Sequence, residues 1–87
     1  MSITIELTYD MAREFGQRKI ELPSARTVSD AVRLMRLRFP GDSTAFLNLT
    51  RVTAIAVNGV LIRYHKGMKT RLHNGDTLSF VKAAAGG

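Results

Sequence analysis

Alternating apolar and polar side chains mark the start of the chain. The run Ile3–Leu7 alternates at every position, and the run Lys19–Leu22 does the same before Pro23. A period of two is typical of a strand with one buried face. Because the turn signal Gly16-Gln17 lies between the two runs, the pattern predicts two strands joined as a hairpin.

A helical period replaces this alternation after Thr27. Apolar side chains between Val28 and Phe39 recur on one face at about 3.6 residues per turn, and Pro40 ends the pattern. Thr27 is placed to cap the first turn, and Asp30 follows at the spacing of a capping box. The pattern therefore predicts one main amphipathic helix.

The second half of the chain predicts further strands. Val52–Val57 is rich in residues that favour strands, the turn Asn58-Gly59 favours a hairpin, and Val60–Ile62 returns as the partner strand. A second turn signal at Asn74–Asp76 precedes a final strand at Thr77–Val81.

These elements define one predicted domain over residues 1–82. Their order is strand, strand, helix, strand, short strand and strand, while residues 41–51 are compatible with a short helix or a packed loop. A four- to five-stranded sheet packed on one main helix is an α+β layout. We expect residues 83–87 to form a flexible C-terminal tail that ends in Gly-Gly.

Size and composition narrow the class of protein. The chain has 87 residues, of which 45% are hydrophobic, which is typical of one small globular domain. Its apolar runs are far shorter than the ~20 residues that span a bilayer, and no secretory leader is visible, so we expect no membrane partner and a cytoplasmic location. The absence of cysteine excludes disulfides and side-chain thiolate chemistry.

Residue types that carry catalysis are scattered. His65 and His73 have no acidic residue at metal-ligand spacing, and no pair of acids resembles a general acid and base. Neither a nucleophile elbow nor a phosphate-binding loop is present. The pattern therefore argues against an enzyme, and we expect no metal and no cofactor bound by this chain.

The net charge of +6 raises nucleic acid as a partner. The helix arginines do not form one narrow stripe, however, and Tyr9 and Tyr64 are the only rings expected to be exposed. A single-strand binder needs aromatic platforms along a basic groove, so the pattern disfavours nucleic acid binding.

The C-terminal segment has a composition of its own. It consists of three alanines followed by two glycines: Ala83, Ala84, Ala85, Gly86 and Gly87. Small side chains keep the backbone narrow, and glycine adopts conformations that are closed to other residues. Directly after a strand, such a segment is suited to enter a tight channel in a partner enzyme and to present the Gly87 carboxylate there.

The chain resembles the ubiquitin-like β-grasp sulfur carriers (ThiS and MoaD-like proteins), and most closely the small subunit of molybdopterin synthase. The segments that carry the resemblance are Ile3–Leu7, Thr27–Ala31, Ile55–Gly59, Leu72–Phe80 and Gly86-Gly87. The resemblance implies a β-grasp fold with a mixed sheet.

The resemblance also implies a function. A ubiquitin-activating-type enzyme adenylates the carboxylate of Gly87 with MgATP, which belongs to that enzyme. A persulfide enzyme then supplies sulfur, which gives a Gly87 thiocarboxylate. The tail, with Ala83, Ala84, Ala85 and Gly86, enters the catalytic large subunit and donates sulfur in molybdopterin synthesis. The chain would then be a carrier or small subunit rather than an enzyme.

Two alternatives share the adenylation step. The chain is then either a ubiquitin-like modifier joined to proteins through Gly86-Gly87 or a carrier in thiamine, cysteine or other sulfur metabolism. The length of residues 41–51 favours the MoaD-like branch over typical thiazole-synthesis carriers. For any of these partners, we predict contact at the outward face of the last strand, with Ser79, Val81 and Lys82.

Overall fold

The computed structural model describes residues 2–83. In chain order its elements are β1 (Ile3–Glu6), α1 (Tyr9–Phe15), β2 (Lys19–Leu22), α2 (Val28–Arg38), α3 (Ser43–Arg51), β3 (Thr53–Val57), β4 (Val60–Leu61), 3-10 helices at Ile62–Tyr64 and Gly67–Lys69, and β5 (Thr77–Lys82).

The strands form one mixed sheet in the order β2-β1-β5-β3-β4. The central pair, β1 and β5, is parallel. The pairs β1–β2, β3–β5 and β3–β4 are antiparallel. A mixed five-stranded sheet with helices confirms the predicted α+β, β-grasp class.

The core lies between α2 and one face of the sheet. Because residues paired across strands share a face, the register brings together Ile5, Leu78 and Val57, and all three are buried. From α2, Val28 and Met35 pack into the same cluster with no exposed surface. The helix thus covers one side of the sheet and leaves the other side open.

The connection between the first two strands differs from the predicted hairpin turn. The strands do pair, but helix α1 is inserted between them. Thr8 caps this helix, because its hydroxyl accepts a hydrogen bond from the backbone N–H of Met11 at 3.2 Å. Gly16 ends it with a φ of 80°, a left-handed conformation that favours glycine. Only Met11 of α1 is buried, so the helix has a short apolar face.

The predicted cap of the main helix is confirmed. The Thr27 hydroxyl accepts from the backbone N–H of Asp30 at 3.2 Å. The carboxylate of Asp30 accepts in turn from the backbone N–H of Arg26, also at 3.2 Å, one residue earlier than a standard capping box requires. Helix α2 ends at Arg38, and Phe39 is buried beyond it.

Residues 43–51 form a helix, so the short-helix alternative is correct for this segment. Asp42 caps α3 by accepting from the backbone N–H of Ala45 at 2.8 Å. Phe46 anchors α3 in the core and meets the ring of Phe39 edge-on, with 5.5 Å between ring centroids. Within the described residues the sheet is therefore accompanied by three α-helices rather than one, with α2 the longest.

Candidate functional site

The face of the sheet opposite α2 has an apolar half. The register places Ala54 opposite Val81 and sets Ala56 between Leu61 and Ser79. Ala56 is buried yet stands outside the main core cluster, as expected for the other face of the sheet. Val81 is 40% exposed. We call Ala54, Ala56, Leu61 and Val81 the open-face patch.

The other half of this face is polar and crosses three strands. The Glu6 carboxylate accepts a hydrogen bond from the Ser79 hydroxyl at 2.9 Å and lies 3.8 Å from the Lys19 ammonium group. Glu21 accepts from the hydroxyl groups of Ser2 and Thr4. These bonds, that from Ser2 first, hold the pKa of the Glu21 carboxyl below its ordinary value.

A pair of turns fixes the start of β5. Asn58 has a φ of 50°, and its side-chain amide donates to the Asp76 carboxylate at 2.9 Å. The side-chain carbonyl of Asn58 accepts from the backbone N–H of Thr77, also at 2.9 Å. The second oxygen of Asp76 accepts from the backbone N–H of His73 at 2.7 Å. The Asn58 bond first, and then the His73 bond, hold the pKa of the Asp76 carboxyl below its ordinary value.

The end of β5 lies beside a groove on the open face. Beyond Lys82, the backbone N–H of Ala83 donates to the carbonyl oxygen of Val52 at 2.8 Å, and Ala83 is exposed. One backbone hydrogen bond thus continues beyond the last residue of β5. The adjacent groove has a volume of about 570 Å³, and its lining includes Ala54, Leu61, Arg63, Val81 and Ala83.

The structure separates the three residues predicted for partner contact. Ser79 and Val81 lie on the open face. Lys82 pairs with Thr53 and alternates with Val81, so it points to the opposite face, although it is exposed. Of the three predicted residues, the outward face of the last strand therefore holds Ser79 and Val81. Ala54 and Leu61 were missed because strands far apart in sequence bring them to this face.

Of the predicted tail residues, only Ala83 belongs to the described part of the chain. The predictions for Ala84, Ala85, Gly86 and Gly87 concern residues outside it.

Other chemistry is sparse in residues 2–83. No cluster of His, Asp or Glu in this range has the arrangement of a metal site. His65 and His73 are both exposed. None of the described helices has the length and apolarity to cross a membrane.

A mixed sheet with the last strand at its centre and a helix across one face defines a ubiquitin-like protein. The ThiS family matches residues 8–87, so the chain belongs to this family of ubiquitin-like sulfur carriers and modifiers. Small carrier proteins of this kind are in general not enzymes themselves. No curated protein matches the sequence.

Solved structures share the fold at low identity. Small archaeal modifier protein 1 from Methanosarcina acetivorans is 19% identical with a TM-score of 0.81, and the match covers 99% of this chain and 96% of that one. A chain of the Amycolatopsis orientalis BexX/CysO complex is 22% identical with a TM-score of 0.77, over 98% and 99%. A chain of the Helicobacter pylori complex of molybdopterin-converting factor subunits 1 and 2 is 20% identical with a TM-score of 0.67, over 100% of both.

Proposed function

We propose that the chain is a sulfur carrier whose reactive group is the carboxylate of Gly87. An adenylating enzyme of the ubiquitin-activating type activates this carboxylate with MgATP. The observation that carries the proposal is the path of β5, which runs through the centre of the sheet and brings the backbone to exposed Ala83 beside the open-face groove.

The proposed chemistry has three steps, each with a defined leaving group. The Gly87 carboxylate attacks the α-phosphorus of ATP, and pyrophosphate leaves. The terminal sulfur of a persulfide enzyme then attacks the acyl carbon, and AMP leaves. A thiol reduces the resulting acyl disulfide, which releases the Gly87 thiocarboxylate and leaves a disulfide on the donor side. The partner supplies the acid and base groups and positions the reactants.

The proposed docking surface is the open-face patch. The patch is apolar, and exposed Val81 lines the adjacent groove together with Ala83. The hydroxyl and carboxylate groups of Ser79 and Glu6 border it with a polar rim. An apolar centre with a polar rim is the usual anatomy of a protein interface. Two of the structural relatives are chains of protein complexes, which supports a partner protein.

For the sulfur acceptor we propose the molybdopterin precursor, with the large subunit of molybdopterin synthase as the catalytic partner. The helix α3, formed by Ser43–Arg51, supports the molybdopterin branch, because this segment is what lengthens the chain relative to the thiazole-synthesis carriers. The competing sulfur acceptors are those of thiamine synthesis and cysteine synthesis. The competing fate of the Gly87 adenylate is conjugation to lysine side chains of other proteins.

Intact-mass spectrometry tests the carrier step. Purified protein is incubated with MgATP, a persulfide donor and an adenylating enzyme of the ubiquitin-activating type from the same organism. We expect one oxygen atom to be replaced by sulfur at Gly87. Adding one alanine after Gly87 should abolish the exchange, and Gly86→Val should impair adenylation because its side chain narrows access to the channel. Exchange that persists in the extended variant contradicts the proposal.

The same protein recovered from cells tests its fate. Thiocarboxylate without conjugates supports the carrier, whereas isopeptide-linked species of higher mass support the modifier. Reconstitution of thiocarboxylated protein with the large subunit and the molybdopterin precursor then tests the acceptor. Failure at this last step, with Gly87 charged normally, rejects molybdopterin synthesis but retains the carrier.

A further inference from the structure

A second groove lies on the helix side of the molecule, with the core between it and the open-face patch. It is bounded by α2, α3 and the 3-10 helix Gly67–Lys69, and it has a volume of about 290 Å³. We call it the helix groove, and its lining includes Val32, Arg33, Arg36, Phe46, Leu47 and Met68.

The helix groove exposes apolar surface. Phe46 is only 1% exposed and forms a rigid base, whereas Leu47 is 50% and Met68 is 43% exposed. Methionine adapts its shape to different apolar partners. The two exposed side chains therefore offer apolar contact to another chain.

Two arginines of α2 line the same groove. Arg33 lies 3.9 Å from Asp30 in an exposed ion pair. Within residues 2–83, Arg36 makes no ion pair. The lining of the groove contains no acidic residue. The groove thus combines an apolar base with two arginines, of which Arg33 is partly offset by Asp30 and Arg36 has no ion-pair partner within residues 2–83.

The dimensions of the groove limit what binds there. A volume of about 290 Å³ lies just below the ~300–1,000 Å³ of small-molecule pockets. It is sufficient for one or two apolar side chains of a peptide. Stacking of nucleic acid bases needs exposed aromatic rings, and the only ring in the lining, Phe46, is buried.

We propose that the helix groove binds an acidic amphipathic segment of a partner protein. Apolar side chains of the segment enter between Leu47 and Met68, and its carboxylates pair with Arg33 and Arg36. Arginine suits this role because its planar fork binds a carboxylate through two hydrogen bonds. The site shares no lining residue with the open-face groove, and binding there does not depend on chemistry at Gly87.

A random dodecapeptide library displayed on phage, selected on the full chain, tests the proposal. Enriched peptides should be acidic and carry at least two large apolar residues. When these peptides bind, the chemical-shift changes of the protein should centre on Val32, Leu47 and Met68. Arg36→Glu should weaken peptide binding by about tenfold or more. Peptides in which acidic residues are replaced with lysine should bind this variant with restored affinity.

Arg18→Glu is the matched control, because Arg18 is an exposed arginine between α1 and β2 and outside the groove. It should leave peptide binding unchanged, and both variants should unfold at the temperature of the parent protein. The proposal is overturned by absence of enrichment, by neutral or basic peptides, by equal binding to Arg36→Glu, or by shift changes on the open-face patch. Displacement of the peptide by a single-stranded oligonucleotide bound at the groove would also reject it in favour of nucleic acid.

Discussion

The two halves of β5 differ in how the sheet holds them. Residues 77–79 pair with β1 on one side, and residues 78–79 also pair with β3 on the other. Phe80, Val81 and Lys82 pair with β3 alone, and of these Val81 and Lys82 are exposed. The first half therefore lies at the centre of the sheet, whereas the second half leads the backbone out to Ala83.

The alternation of faces along β5 separates residues expected to stabilise the fold from residues expected to bind a partner. Leu78 has no exposed surface and Phe80 only 3%, while Val81 is 40% exposed on the open face. Substitutions at neighbouring residues of this strand should thus affect different properties of the protein. Changes at Phe80 should lower the free energy of unfolding, and changes at Val81 should lower the affinity for a partner.

The largest expected effect is that of Phe80→Ala. Removing a fully buried ring should lower the free energy of unfolding by about 3–5 kcal/mol, because the apolar contacts are lost and a cavity is left. Val81→Ala is the matched control and should change it by less than about 0.5 kcal/mol, as for most surface positions. Urea denaturation followed by circular dichroism measures both.

An equal loss in the free energy of unfolding for the two variants would contradict this difference between Phe80 and Val81. In that case Val81 would be as important to the fold as Phe80, and its exposed position would not free it for partner contact.

The contrast within β5 was partly visible in the sequence. Alternation along a strand already predicts that Phe80 is buried and that Val81 faces outward. The same alternation places Lys82 on the side of Phe80, so the sequence itself argued against grouping Lys82 with Val81. The groove beside them was not predictable, because it depends on the register between β3 and β5.

The helices also differ in how far the sequence predicts them. The long apolar period of α2 and its Thr27 cap made this helix predictable. Helix α1 has 7 residues and buries only Met11, so its period was too short to be recognised. Its end signals, Thr8 and Gly16, were nevertheless present. The predictions for Gly86 and Gly87 rest on family resemblance and on composition, since chemistry at a carboxylate leaves no cluster of side chains to detect.

A second, smaller effect is expected for Val81→Asp. A carboxylate at the centre of the open-face patch loses apolar contact and is costly to desolvate in an interface. We expect the affinity for the adenylating enzyme to fall about tenfold, with the free energy of unfolding nearly unchanged. Isothermal titration calorimetry with the enzyme measures this.

Lys19→Ala on the polar half of the same face is the matched control and should change affinity less. If Val81→Asp binds as tightly as the parent protein, the docking surface lies elsewhere.

A third effect concerns the turn that begins β5 and depends on pH. The pKa of Asp76 is held below its ordinary value of 3.8, chiefly by the amide of Asn58. Its carboxylate therefore stabilises the folded state above pH 3.8, and this contribution is lost as the pH falls through the lowered pKa. Asp76→Asn should flatten the pH dependence of the free energy of unfolding in this acidic range.

Glu21→Gln provides the comparison at the opposite edge of the sheet. The pKa of Glu21 is also lowered, by hydrogen bonds from Ser2 and Thr4. The Glu21→Gln substitution should therefore remove a separate part of the pH dependence of the free energy of unfolding. A pH profile left unchanged by Asp76→Asn would show that the Asn58–Asp76 contact contributes nothing to holding β5.

The smallest expected effect is that of Ser79→Ala, where the two halves of β5 meet. Its hydroxyl donates to the carboxylate of Glu6 across the parallel pair, at 2.9 Å and on a partly exposed face. Loss of this bond should cost about 0.5–1.5 kcal/mol. A double-mutant cycle with Glu6→Ala, which removes the acceptor, isolates the coupling between the two side chains. If the substitutions are additive, the bond does not tie β5 to β1, and backbone pairing with the register of Thr77–Ser79 alone holds the first half of the strand.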